Sequence, residues 1–233
     1  MVNSKILEIF CDPNRGSWKE PFINGGNDYV VASDTHIMAF LKKECVESDS
    51  PLVKREKDYV RYIENDDRIP QQDITIKYDN IIKALKCLHL DENKEHDCSE
   101  CDGNGTVDYE YRTNDGEYHV MEGDCPVCDG TGIDPNYVNL VLNCPPNLVN
   151  GWYNKQETSI SIYYIDLAPQ YIAKLAKLMY ECGVSECKLY KGDHKHACCF
   201  QLTEDIRVAI MPLFHTDFLN NTVKIEYEEN ETD

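Results

Sequence analysis

The sequence predicts an α+β fold in which β-α-β-β-β units are interrupted by a small β-hairpin insertion closed at its base by cysteines. Three observations predict it. A strand-then-helix segment is written twice, at 74–88 and 165–179; the second copy leads into three strand-like runs; and the pattern C-x-x-C-D-G-x-G occurs twice, 27 residues apart, around an alternating stretch. The 233 residues, 42 % of them apolar, suffice for one large or two small domains with a buried core.

Taken from the N-terminus, "NSKILEIF" reads as a short helix with Asn3 or Ser4 as its cap. "DYVVASDTHIMAFLKKE" (28–44) is strand-rich with a tight polar break at Ser33, Asp34 and Thr35. The charged stretch 47–73 is expected to be solvated, an excursion or a short helix without chemistry. "ITIKYDNIIKALKCL" then aligns without gaps to "IDLAPQYIAKLAKLM": Ile74 meets Ile165, Ile76 meets Leu167, Ile81 meets Ile172 and Leu88 meets Met179. Two lysines coincide, Lys83 with Lys174 and Lys86 with Lys177. The first part of each copy alternates as a strand and the second has helical spacing, which puts two lysines on neighbouring turns of each helix. "SECKLYKG", "HACCFQLT" and "IRVAIMPLF" follow as strands, then a strand-like "TVKIEY" and a mostly acidic tail. This divides the chain into an N-terminal α+β part (1–94), a cysteine module (95–133) and a C-terminal α+β part (134–233).

Each cysteine pattern supplies two thiolates two residues apart, a spacing that lets both sulfurs of one turn reach a single tetrahedral ion at about 2.3 Å. Cys98, Cys101, Cys125 and Cys128 make a complete set of four, with no position left for a catalytic water, so one structural Zn2+ is expected. Gly103, Gly105, Gly130 and Gly132 stand where backbone amides must fold back toward the sulfurs. Between the pairs, "TVDYEYRTNDGEYHVMEG" alternates, turns at Asn-Asp-Gly and alternates again, which predicts a hairpin whose folding depends on the metal. The unit resembles the C-x-x-C-x-G-x-G repeat of DnaJ-type cochaperones over residues 98–132. Those carry four units and two ions; this chain has two units, enough for one ion, and no "HPD", so the resemblance implies zinc and not chaperone work. His96 precedes a shell that four thiols already fill. In "HKHACC", His194, His196 and Cys198 would share a face on a strand, but no fourth ligand has a motif spacing; Cys198, Phe200 and Leu202 are read as core.

The formal charge is −19, from 42 acidic and 23 basic residues, which argues against nonspecific wrapping of nucleic acid by the whole surface while allowing a local basic face. No apolar run reaches the roughly 18 residues a spanning helix needs, so no membrane partner is expected. The first residues lack a signal-peptide core, and clustered cysteines in a reducing compartment are metal ligands more often than disulfides, so a cytoplasmic protein is expected. Enzymatic activity is not expected: Ser33, Asp34 and His36 are too close on one turn to form a triad, and there is no G-x-x-x-x-G-K-[ST].

"VASDTHIMAF" (31–40) resembles the A-T-D-G-H-R-L-A hairpin of bacterial β sliding clamps, the processivity rings of DNA polymerase III. "YIAKLAKLM" followed by strands and "VAIMPLF" is similar to the last half-domain of those clamps, which closes on V-I-M-P-M. The likeness covers about 1–45, 74–88 and 160–214. It implies repeated clamp-like β-α-β-β-β units around the zinc-stapled hairpin, with copies assembling as a homo-oligomeric ring and helices facing the hole. Lys83, Lys86, Lys174 and Lys177 would then face double-stranded DNA. Met211, Pro212 and Leu213 would border the pocket that takes peptides of a polymerase or another replication protein. The family's Gly-His-Arg is Thr35-His36-Ile37 here, which removes a basic residue, and the chain beyond Leu213 would cover the pocket. The implied function is a sliding-clamp-like processivity or accessory factor, of phage or mobile-element origin, that tethers partners to DNA without reading sequence. The other reading is a zinc-stabilised protein- or nucleic-acid-binding module with a clamp-like fold that forms no ring.

Overall fold

A computed structural model describes residues 1–26, 28–64, 66–91, 96–214 and 219–229, and divides the chain into two units. The larger comprises Met1–Leu88, Val141–Val149 and Glu157–Asp233; the smaller comprises His89–Leu140 and Asn150–Gln156.

In the larger unit β1 (Val2–Asn3) runs into α1 (Ser4–Leu7), and the Asn3 side chain accepts from the Lys5 N–H at 2.9 Å, satisfying one amide that a helix start leaves unpaired. β2 (Phe22–Ile23), β3 (Tyr29–Ser33) and β4 (Ile37–Lys42) follow, with β5 (Val46–Glu47) parallel to β1 and β6 (Val53–Lys54) parallel to β2. α2 (Val60–Glu64) lies in the stretch expected to be solvated. That expectation is corrected at Val60, which is fully buried in a cluster with Phe22, Val31 and Phe40, and at Ile69, which is also buried: two apolar anchors pin a charged excursion to the core.

Both copies of the repeat fold as strand into helix. β7 (Gln71–Lys77) enters α3 (Tyr78–Lys86), which buries Ile81, Ile82 and Leu85. The chain then forms β8 (Thr106–Arg112) and β9 (Tyr118–Asp124), followed by the paired strands β10 (Tyr137–Cys144) and β11 (Asn147–Asn154). β12 (Thr158–Ile162) and β13 (Ile165–Leu167) form a hairpin that leads into α4 (Pro169–Cys182), in contact with α3. α4 opens on Pro169, whose missing N–H would have no helical acceptor, and closes on Gly183 at φ 65°, where the Val184 N–H reaches Met179 O. β14 (Glu186–Lys191), β15 (Cys198–Thr203) and β16 (Ile206–Ile210) complete the second β-α-β-β-β unit. Cys198, Phe200 and Leu202 are buried, as the core reading requires, but so is Cys199, so β15 is covered on both faces.

The C-terminal stretch departs from expectation. β17 (Asn221–Lys224) pairs in parallel with β12, and β18 (Glu228–Glu229) pairs with β7, so these residues extend two sheets instead of covering a pocket beside Met211. Residues 215–218 and 230–233 lie outside the described residues. The main sheet has nine strands in the order β18-β7-β14-β15-β16-β4-β3-β2-β6, with Val208 opposite Ala39 where the second repeat meets the N-terminal hairpin. A second sheet has the order β13-β12-β17. No helix among the described residues is long and apolar enough to cross a membrane.

In the smaller unit β8 and β9 pair from Thr106–Asp124 out to Arg112–Tyr118. The turn contains the expected Asn-Asp-Gly, with Gly116 at φ 92°. The His96 ring stacks on Tyr137 with centroids 3.4 Å apart, a packing role that fits its exclusion from the ligand set.

Candidate functional site

Two symmetric turns build the cysteine knuckle. The Cys98 N–H bonds to Gly132 O and the Cys125 N–H to Gly105 O, both at 2.8 Å, so each turn closes on the other. The Gly105 N–H donates to Cys101 Sγ and the Gly132 N–H to Cys128 Sγ, both at 3.2 Å, the charge-softening amides that the glycines predict. A Cβ on Gly105 would stand 2.4 Å from Gly130 O and one on Gly132 2.3 Å from Gly103 O, at φ values of +80° and +75°. Only glycine fits there. The four sulfurs are buried and lie within 4.8 Å of one another, 3.9 Å from Cys98 to Cys125 and 3.7 Å from Cys101 to Cys128. Thiolates about 2.3 Å from a shared tetrahedral ion stand about 3.8 Å apart, so this set fits one metal ion. Among the described residues it is the one His, Cys, Asp and Glu grouping that does. His196 instead engages Asp193, with Nδ1 2.9 Å from the carboxylate.

A second site lies in the larger unit: an apolar cleft of about 340 Å3 whose lining includes Trp18, His36, Ile37, Met38, Tyr59 and Met211. Trp18, Met38 and Tyr59 also pack on the buried cluster of Phe22, Phe40 and Ala209, so core and cleft are continuous. The β3–β4 turn shapes one wall. Ser33 Oγ donates to Ile37 O at 2.7 Å and accepts from the Thr35 N–H, while Asp34 Oδ1 accepts from the N–H groups of His36 and Ile37. Ser33 and Asp34 are thus committed to the turn and are not poised as a nucleophile and its orienting acid. Thr35 holds φ 83°, the left-handed region, at the position where the clamp hairpin has glycine. Arg15 donates to Thr35 Oγ1 at 2.7 Å, and Lys57 also lines the cleft, so two basic groups stand near the turn. Behind the turn, Tyr171 stacks on His36; burial, and then the Asp34 charge, push its hydroxyl up to about 12.

Of the three sequence-selected partner residues, Met211 lines the cleft and its N–H bonds to His36 O at 2.8 Å. Pro212 is buried and Leu213 half-buried, and neither is among the lining residues. Sequence reasoning missed Trp18, Lys57 and Tyr59. The available signal was aromatic residues inside polar and charged runs; here Trp18 and Tyr59 meet edge-to-face at 5.0 Å, and the Arg55 guanidinium sits 3.5 Å from the Phe22 ring centroid.

The four helix lysines lie on the contacting helices α3 and α4. Three are engaged by carboxylates: Lys83 with Glu226 at 2.7 Å, Lys174 with Asp34 at 3.0 Å and Lys177 with Glu181 at 2.6 Å. Lys86 donates to Asn147 Oδ1 at 2.8 Å. Both α4 lysines are largely covered, while Lys83 is well exposed.

The sequence matches no protein-family profile and no curated protein. Solved structures of bacterial DNA polymerase III β subunits are similar in chain course. The β subunit from Pseudomonas aeruginosa has a TM-score of 0.41 and 11 % identity, over 90 % of this chain and 64 % of that one. The one from Thermotoga maritima has a TM-score of 0.39 and 10 % identity, over 90 % and 62 %. The DnaN sliding clamp from Bartonella birtlesii has a TM-score of 0.41 and 9 % identity, over 89 % and 61 %. The chain spans less than two thirds of the length of the clamp subunits it matches.

Proposed function

We propose that this chain is a non-catalytic, clamp-type accessory protein: its knuckle holds one Zn2+, and its cleft takes an apolar peptide segment of a replication partner. The observation that carries the reading is the cleft. It joins the 33–38 turn to Met211, the two segments whose sequences resemble the clamp hairpin and the clamp I-M-P stretch, around an apolar space of about 340 Å3. That size falls within the roughly 300–1,000 Å3 of ligand clefts. Zinc is supported by the donor set, since four buried thiolates at tetrahedral spacing suit a soft-tolerant d10 ion.

The cleft is tested by selecting displayed random peptides on the zinc-loaded protein. Apolar motifs are expected to be enriched, to shift Trp18 fluorescence in a Trp152→Phe background, and to weaken about tenfold or more with Met211→Lys. Selected peptides indifferent to both Met211→Lys and Tyr59→Ala would remove the cleft from the reading.

Lys83, Lys86, Lys174 and Lys177 are the DNA-facing side chains in this reading. Because carboxylates answer three of them, the helix pair offers phosphates little surplus charge, and binding to duplex DNA is expected to be weak and confined to low salt. Anisotropy titrations at about 20 mM and about 150 mM salt check this, since screening shortens to about 8 Å at the higher value. Lys86→Glu should abolish the low-salt binding. Duplex binding that survives both the substitution and the salt would assign DNA to another surface. Ring formation from several copies is read by sedimentation across the micromolar range, where a monomer at every concentration argues against it.

A further inference from the structure

The β8–β9 hairpin has two unlike faces. Residues opposite one another in an antiparallel pair share a face, and successive residues alternate. One face therefore carries Val107, Tyr109, Tyr111, His119 and Met121, with no carboxylate among its paired residues; at its turn end the Glu117 carboxylate stands 3.8 Å from His119 Nε2. The opposite face carries Asp108, Glu110 and Glu122 beside Tyr118 and Val120.

The face of Val107, Tyr109 and Tyr111 is ordered from its base outward. Val107 packs on the four cysteines. The Tyr109 hydroxyl donates to Asp124 O at 2.6 Å, and its ring lies over Gly123, where a Cβ would meet it at 2.9 Å. Tyr111 stacks on His119 with centroids 5.5 Å apart. These contacts hold the rings in place yet leave Tyr111 49 % and Met121 57 % exposed. An isolated two-stranded hairpin is marginal at best in water, and a run of aromatic and apolar side chains left uncovered on one is the kind of patch that marks an interaction site.

Charge narrows the occupant. Between residues 96 and 133 the chain carries six Asp and four Glu against Arg112 alone, and that arginine lies by the Tyr118 ring of the other face. Phosphates would be repelled, so a nucleic-acid strand stacking on the tyrosines is disfavoured despite the exposed rings. A polypeptide bearing lysines or arginines is attracted instead, and its cations can sit over the same rings that meet its apolar side chains. We propose that the face of Val107, Tyr109, Tyr111, His119 and Met121 is a docking surface for a basic, apolar polypeptide segment of a partner protein. It shares no residue with the cleft, and the two proposals stand or fall separately.

The test uses the full zinc-loaded chain and a fluorescent peptide of alternating lysine and leucine, read by anisotropy. Tyr111→Ser with Met121→Ser is expected to weaken binding about tenfold, the scale of losing apolar anchors. Tyr118→Ser with Val120→Ser, which alters the still more exposed opposite face, should change it by less than about twofold. Zinc content is measured for every variant, and if the first pair loses metal, Met121→Ser alone carries the comparison. Equal losses from the two faces, no binding by the native chain, equal affinity for a lysine–serine peptide, or tighter binding of single-stranded oligothymidylate would each overturn the proposal.

Discussion

Replacing Cys125 with serine is expected to unfold the knuckle and the β8–β9 hairpin while the nine-stranded sheet keeps its own cooperative transition. The two turns are bonded to each other through Cys98–Gly132 and Cys125–Gly105, so the base of the hairpin exists only while both are drawn together. Beyond it the strands are largely exposed, and the buried material is four sulfurs with Val107 beside them. Burial this small does not offset the entropy of ordering the chain. An ion held by the four thiolates would do so: structural Zn2+ supplies about 10–16 kcal/mol at neutral pH in peptides that fold around it. Zinc stoichiometry should fall from a single ion per chain to near zero, with new protease cleavage between residues 106 and 124. Chelation of the native chain should have the same effect and expose four thiols beyond the accessible Cys87. Acid should release the ion as well, because protons compete for the thiolates that bind it. A metal-free variant whose hairpin amides stay protected from hydrogen exchange would show that the hairpin needs no ion.

Phe40→Ala is expected to destabilise the larger unit by about 3–5 kcal/mol, the cost of emptying a fully buried aromatic site. Phe40 lies in the cluster with Phe22, Val31, Val60, Cys199 and Ala209, and Trp18, Met38 and Tyr59 rest against that cluster on their way to the cleft. The void would thus open directly behind a wall of the candidate binding site. With a shift of about 2–4 °C per kcal/mol for a chain of this size, the midpoint should fall by roughly 6–20 °C. Peptide binding should weaken at temperatures where the variant is still folded. Phe40→Leu, which keeps most of the volume, should recover much of both losses. A Phe40→Ala protein that melts within about 2 °C of the native chain would mean that the cluster collapses around the gap and that the cleft does not depend on it.

The knuckle is legible in the sequence because its chemistry is local: two short ligand spacings and the glycines that follow them specify nearly every contact. The strand–helix repeats are legible for a similar reason, since Ile74, Ile76, Ile81 and Leu85 report their own periodicity. The cleft is not. Its walls come from the 33–38 turn, from Trp18, from Lys57 and Tyr59, and from Met211, segments joined by sheet pairing, by α2 settling on the core and by long-range bonds such as that from the Tyr59 N–H to Asn24 Oδ1. The helix lysines illustrate the limit best. Spacing puts them on neighbouring helical turns, but the carboxylates that engage Lys174 and Lys83 lie 140 and 143 residues away, beyond the reach of any local pattern. Thr35 is a quieter case: nothing nearby announces that a β-branched residue will adopt a left-handed backbone where the clamp hairpin has glycine.

The main sheet begins and ends, among the described residues, in strands of two residues, Val53–Lys54 at one border and Glu228–Glu229 at the other. Both borders are exposed and three of their four side chains are charged. A neighbouring molecule seeking to add its own strand at either border strand would find only two residues to pair with and would have to desolvate ions to reach them. Fibrous stacking through these two borders is therefore disfavoured by charge as well as by length.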